Sequence, residues 1–519
     1  MNTPNRRSFL GDVSRGMIIA GIGKALASDL GFSTAFAGSG EQRINFGELE
    51  RLVVTMQETP AERLQPQLIQ QYRSGNVDLR QLTAAAALAN ARTFGGEDYD
   101  GYHCMMALVP AFEMSSELPE DQRPLPVLKV IYRNSARIQA VGGRNREVLR
   151  PVESAELPEN ANAGELLRQA TRNRNKAQGD RILSALTDRS ATEAYNALQY
   201  SVQDKTNVHR VALAHRAWEM ADLIGREHAL TLLRQSVHFC SNRNNNTVDE
   251  QLNRTVTQLL DQHRLIGREL GNRRMDDQWV TNLKQTVFQS SRAQAAGAVA
   301  EALAEGVSPE VIGEALSLAA NELLLRQTQN RSHGDSRGVH ASDAVNAWRN
   351  ISRVTNHRNK VVSLIIAGYH VGGSGQRVIT GQTARSPLSR DADPLAQFRN
   401  RVRGDNPQRL LSIAEEAIRA NEQFQAAAAI LRYSELNAEA RPVFDLMLKY
   451  AISEDGRLHA EKYYRTVTEE FASIRPAFRW RQLIALARVT ASCYGYNRRD
   501  QRGGRAPGYT QARELLGLS

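Results

Sequence analysis

Only three cysteines, Cys104, Cys240 and Cys493, occur in 519 residues. Three cannot make a disulfide framework, and the odd number leaves at least one free or joined to another molecule. Buried, inert thiols are the first expectation, because a free cysteine is commonly a small apolar residue. There is no CxxC pair, no CxxCH haem attachment and no HExxH zinc motif. A retained transmembrane span is also missing, since it needs about 20 largely apolar residues and Lys24 and Asp29 interrupt the apolar stretch near the start. Alternating β-branched runs are scarce, and alanine and leucine at helical spacing take their place, so the chain reads as all-α.

The first 37 residues read as an export signal. Asn5-Arg6-Arg7-Ser8-Phe9-Leu10 resembles the twin-arginine motif, a modestly apolar segment follows from Met17, and Ala35-Phe36-Ala37 offers a small-x-small cleavage site. The resemblance implies the twin-arginine export machinery as a partner, folding before export, a periplasmic or other extracytoplasmic location, and no transmembrane anchor after cleavage. Twin-arginine substrates are often, though not always, loaded with a cofactor inside the cell. The formal charge of +10 includes Arg6, Arg7, Arg15 and Lys24 against Asp12 and Asp29, so the mature chain carries about +8. Its nearest approach to a basic patch, Arg498 to Arg505, has no interleaved aromatics, which argues for a solvated tail and against nucleic acid. An anionic envelope polymer stays open as a partner.

The stretch Asp204 to Cys240 sets a pattern that returns three times. It reads as a helical hairpin, with runs from Val208 to Leu223 and from His228 to Phe239 around a break at Gly225. His209 starts the first helix and His238 ends the second, so an antiparallel pair puts both at one end. A second full pair is His340 and His370, while His103 and His459 begin copies that end in Tyr132-Arg133 and Cys493. Five residues before each first histidine stands an acid: Asp98, Asp204, Asp335 and Glu454. Successive first histidines are more than 100 residues apart, longer than the 20 to 50 residues of common solenoids, which favours compact modules.

A helix precedes each histidine helix: Val77 to Phe94, Arg189 to Ser201, Ser308-Pro309-Glu310 to Leu325, and Glu439 to Ile452. Two short helices are expected between Ile44 and Gln71, broken at Thr59-Pro60. Loops are expected at 141–164, 241–247 and 372–394. The fold expectation is a multi-helical protein of four degenerate helical-hairpin modules, packed as one or two compact domains. Modules at 38–140, 165–243, 290–372 and 405–496 follow the signal, 1–37, with a loop or linker at 373–395 and a basic tail at 497–519.

A histidine at a helix start faces the positive end of the helix dipole, which favours the neutral ring and leaves a lone pair for a metal or a proton. The acid one turn earlier would then orient the imidazole through its other nitrogen. If the copies pack around a common axis, His103, His209, His340 and His459 converge, with His238 and His370 beside them. Such a set suits iron, zinc, copper or a non-covalent haem. The pairs His209/His238 and His340/His370 are the leading candidates, with Glu113 and Glu219, each ten after its histidine, as further ligand or acid/base groups. Trp218 and Trp348 stand at nearly matching places, as aromatic core or as pocket walls. Equally open is a structural reading, in which the acids cap helices and the histidines hydrogen-bond locally.

Glu305-Gly306-Val307-Ser308-Pro309-Glu310-Val311-Ile312-Gly313-Glu314-Ala315-Leu316 is similar to a helix of the carboxymuconolactone decarboxylase-type helical proteins. The CxxC or related redox motif those proteins commonly carry is absent. The histidine hairpins faintly resemble questin-oxidase-like helical proteins, which would imply an oxygenase acting on an aromatic polyketide. Two functional expectations follow: a histidine-ligated metal or haem protein with oxidoreductase or hydrolase activity, or a non-enzymatic helical scaffold that binds a protein or polymer in the cell envelope.

Overall fold

A computed structural model describes residues 43–327, 337–375, 393–453, 458–496 and 506–518. The signal, His333, Asp335, Glu454, most of the 373–395 loop and Arg498 to Arg505 lie outside the described residues. Within them the chain is all-α, and its one β-bridge joins Arg273 to Val307. No helix among the described residues is long and apolar enough to cross a membrane.

Helices α1 (Glu50–Glu58) and α2 (Ala61–Arg73) lead into α3 (Leu79–Phe94), α4 (Tyr99–Ser116) and α5 (Pro124–Ala140). Next come α6 (Ala163–Arg172), α7 (Lys176–Arg189), α8 (Ala191–Val202), α9 (Val208–Ile224) and α10 (Ala229–Ser241). They are followed by α11 (Glu250–Gln262), α12 (Asp277–Gln289), α13 (Arg292–Ala304), α14 (Pro309–Arg326), α15 (Arg337–Val354) and α16 (His357–Val371). The last are α17 (Pro407–Ala420), α18 (Gln423–Ser434), α19 (Arg441–Ala451), α20 (His459–Ser473), α21 (Pro476–Tyr496) and α22 (Pro507–Leu516). The helix starts carry ordinary capping chemistry. Asp78 and Gln81 form a capping box on α3, Asp98 accepts from Gly101 N on α4, and Asn207 accepts from Arg210 N on α9. Gly225, at φ +123, ends α9 where the sequence predicts the break.

Twelve helices form four mutually packed triads: α3–α4–α5, α8–α9–α10, α14–α15–α16 and α19–α20–α21. Their middle helices pack in a closed circuit, α4 on α9, α9 on α15, α15 on α20 and α20 on α4. Around this core one outer contact recurs. The first helix of a triad meets the third helix of the next, as α3 on α10, α8 on α16 and α14 on α21. Between the fourth triad and the first, Lys129 Nζ on α5 donates to Ala451 O on α19 at 2.9 Å and pairs with Glu461 on α20.

Burial explains the composition. From Leu82 to Phe94 every residue of α3 is buried, and the same holds for α14 from Ile312 to Arg326. Helices enclosed all round need small side chains to approach one another, which accounts for the alanines at 84–87, 89 and 91. Gly101 serves the same end, because a Cβ there would stand 2.5 Å from the Phe94 ring. The C-terminal stretch, expected as a tail, is partly docked. Gly508, Tyr509 and Ala512 are buried as α22 packs on α5 and α2, an apolar face that the neighbouring arginines mask in the sequence.

Candidate functional site

The circuit of α4, α9, α15 and α20 brings the first histidine of each helix together. Ring centres are 4.8 Å apart for His103 and His209, 5.7 Å for His209 and His340, 6.0 Å for His340 and His459, and 5.4 Å for His459 and His103. Ten residues further on, the same helices meet again through Glu113, Glu219, Asn350 and Glu469. The four helices therefore run parallel, and all four N-termini lie at the histidine end. Connecting parallel neighbours requires the long return paths supplied by the other helices.

His103 is buried at 2% exposure, and its Nδ1 lies 2.6 Å from Tyr99 O. A carbonyl only accepts, so Nδ1 carries the proton and Nε2 presents its lone pair. That Nε2 is buried and has no hydrogen-bond partner. Tyr99 and Tyr102 flank the ring, with Tyr102 stacked on His103 at 4.9 Å and 5.3 Å from the His209 ring centre. Burial and the Lys462 ammonium hold His103 far below the ordinary imidazole value. Burial, Lys462 and His340 take His209 down to about 3. Both rings are neutral near pH 7, as the position of the helix dipoles also favours.

Beneath the histidines the core is polar in layers. At the third residue after each histidine stand Met106, Ala212, Asp343 and Lys462, lining a cavity of about 10 Å3, the room of one water molecule. His215, Arg216, Ala347 and Thr466 complete its wall. Asp343 accepts from the Thr466 hydroxyl at 2.8 Å, and burial pushes its carboxyl up despite Lys462. Below, Glu469 meets Arg465 Nε at 2.7 Å and Arg216 at 3.7 Å and accepts from Asn350 Nδ2 at 2.8 Å. Burial opposes its charge, but Arg216 and Arg465 outweigh it and hold the carboxyl at about 2. His215 lies 3.3 Å from Asn350 and 3.5 Å from Glu219.

The structure does not bring every candidate to this site. His238 turns outward from the ring, Nε2 2.9 Å from Asp180 and Nδ1 3.2 Å from Glu97, where it joins α10 to α7 and to the loop before α4. Burial opposes its charge, and the two carboxylates outweigh it and raise its pKa. His370 is close enough to His340 to feel its charge; burial, Arg292 and His340 lower it to about 4. The expected partnership of His209 with His238 thus gives way to a ring of first histidines, because the last turns of α10 and α16 lie outside the central circuit. Asp98 is taken by Arg137 at 2.6 Å and by the Gly101 amide, and Asp204 by Arg168 at 2.7 Å and Arg172 at 2.6 Å. These acids serve helix entry and ion pairing, and His103 is oriented by a backbone carbonyl in place of Asp98.

Trp218 and Trp348 are buried at 3% and 0%, with Trp218 stacked on Tyr195 at 4.4 Å, so both belong to the core. The three cysteines are free and buried. His215, set on a different face by its spacing from His209, lines the central cavity. Asp343, Lys462, Asn350 and Glu469 escaped the sequence reading, although all four fall at offsets of three or ten from their histidines. Reading the four copies together at helical offsets was the available signal.

As the rings stand, no group of three or more His, Cys, Asp or Glu side chains among the described residues has the donor arrangement to hold a metal ion. Four rings this close also leave no slot for a porphyrin disc among them, so a haem held between the four does not fit. No protein family, no curated protein and no solved structure matches the chain.

Proposed function

We propose that the head of the parallel core is a metal centre in which His103, His209, His340 and His459 ligate one first-row transition ion, in an exported protein built of four copies of one helical unit. The observation that carries the reading is the closed ring of four imidazoles spaced 4.8 to 6.0 Å. With metal–nitrogen bonds of about 2.1 Å, four tetrahedral imidazole ligands have neighbouring ring centres roughly 5 Å apart. The helix positions are thus suitable, and ligation requires the rings to turn about their side-chain bonds. The buried, unpartnered Nε2 of His103 supports the same reading, since leaving such an atom unsatisfied costs about 1–3 kcal/mol. Zinc, iron and copper all accept imidazole, and the chemistry they would supply is hydrolysis for zinc and oxidation for iron or copper. Within the chain, Asp343 and Lys462 are placed one turn beneath to hold or pass a proton.

A second reading rests on the donor arrangement of the rings and on the Lys462 ammonium below them, both unfavourable to a bound cation. Here the ring is packing, and the chain is a helical scaffold in the cell envelope. Elemental analysis and an absorption spectrum of the mature protein, purified without chelator, separate the two. The metal reading expects one ion per chain, lost in both His209→Ala and His340→Ala while the fold persists. No metal in the unmodified protein overturns it and leaves the scaffold.

A further inference from the structure

Away from the histidine ring, a cavity of about 450 Å3 opens among α8, α11 and α16. That is the size of a site for a small organic ligand. Arg358 lies on its wall with the guanidinium 3.7 Å above the Tyr200 ring. Its Nη1 donates to Gln203 Oε1 at 2.8 Å and Asn359 Oδ1 at 2.9 Å, both neutral amides. No ion pair engages Arg358 among the described residues, and none engages Arg254 at the exposed rim. The third arginine, Arg168, differs, because Asp204 and Asn253 already hold it.

A guanidinium withdrawn from water without a counter-charge is costly, and burial together with Arg168 does weigh against the charge of Arg358. Stacking on Tyr200 fixes the plane of the fork, which is the shape that receives a carboxylate or phosphate through paired hydrogen bonds. Asp261 is the single acid in the lining, against three arginines. The remaining wall includes Val256, Leu260, Val362 and Ile366, which are apolar. The site therefore offers a cationic end and an oily side in one cavity.

We propose that this cavity binds an amphipathic organic oxyanion, its carboxylate or phosphate head held by Arg358 and Arg254 and its apolar part laid against Val362 and Ile366. The site is independent of the metal reading, since none of its lining belongs to the histidine ring.

Calorimetric titration of the mature protein with octanoate, octyl phosphate, octylammonium and inorganic phosphate tests it. One molecule of octanoate or octyl phosphate per chain is expected to bind saturably, the preferred head identifying the class. Octylammonium is expected not to bind, and inorganic phosphate to bind more weakly than either amphipathic anion. Losing a charge-assisted hydrogen bond predicts about 10-fold weaker binding in Arg358→Gln and in Arg254→Gln. Asp261→Asn should bind the anion several-fold more tightly by removing a like charge, a gain that damaged folding does not imitate. Val362→Trp should abolish binding by filling the cavity while the melting transition persists. The proposal is overturned if neither amphipathic anion binds, if octylammonium binds as well as they do, or if Asp261→Asn and Val362→Trp both bind like the parent.

Discussion

The two ends of the parallel core are made by the same four helices, yet their chemistry differs. At the head stand four imidazoles, of which His103 keeps a buried lone pair without a hydrogen-bond partner. Three turns lower stand three glutamates and Asn350, each held by Arg216, Arg465, His215 or one another. Buried charges placed in reciprocal pairs hold helices in register, and removing one partner strands the other. Uncharged donors left without partners hold nothing in register and are available to something else. We read the lower layer as the clamp and the head as the working end.

The largest effect should come from breaking the clamp. Glu469→Ala leaves Arg216 and Arg465 without their shared carboxylate and is expected to cost about 3–5 kcal/mol in urea unfolding. His209→Ala at the metal-free head is expected to cost about 1 kcal/mol. Equal losses would erase the distinction between the ends. The clamp also has a pH signature. Glu469 has a folded value of about 2 against an ordinary 4.5, so its contribution is intact above pH 4.5 and disappears as pH falls through 2. Urea midpoints across that window should fall more steeply for the parent than for Glu469→Gln.

Next in size is Gly96, outside the core. At φ +79 it faces α10, where an added Cβ would meet Gln235 O at 2.2 Å. Gly96→Ala is expected to destabilise by about 1–3 kcal/mol, and a neutral result would show that the contact between the first two triads yields easily. Nearby, His238 behaves as a small clamp between the same triads. Its folded pKa lies above the ordinary 6.5, so its contribution is complete below pH 6.5 and is lost as pH rises through the raised value. His238→Gln should cost roughly 1.5–3 kcal/mol at pH 5.5 and less at pH 9, and equal costs at both would remove His238 from the charged partners assigned to it.

Much of the helix pattern was legible in the sequence because it depends on local chemistry. The break at Gly225, the start at Ser308-Pro309 and the helix leading to Phe94 all follow from caps, breakers and apolar spacing, and they fall within a residue or two of expectation. The meeting of His103, His209, His340 and His459 was also an expectation, drawn from their shared place at helix starts. Their partners were not legible. Asp98 and Asp204 suit an imidazole by spacing alone, and only packing shows that Arg137, Arg168 and Arg172 reach them first. His238 likewise could not be separated from His209 by sequence, since the direction it faces depends on Asp180, 58 residues earlier on α7.

By itself, then, the sequence determined an all-α chain, the ends of most of its helices and the presence of a histidine at the start of four of them, because each depends on neighbours within a turn or two. Tertiary structure alone decided that those four helices run parallel in a closed circuit, that their residues at offsets of three and ten form a polar core, and that two other histidines stay outside. Those outcomes depend on contacts between residues more than 100 positions apart, where close packing, burial of charge and the return path of the chain choose among arrangements that local pattern leaves equal.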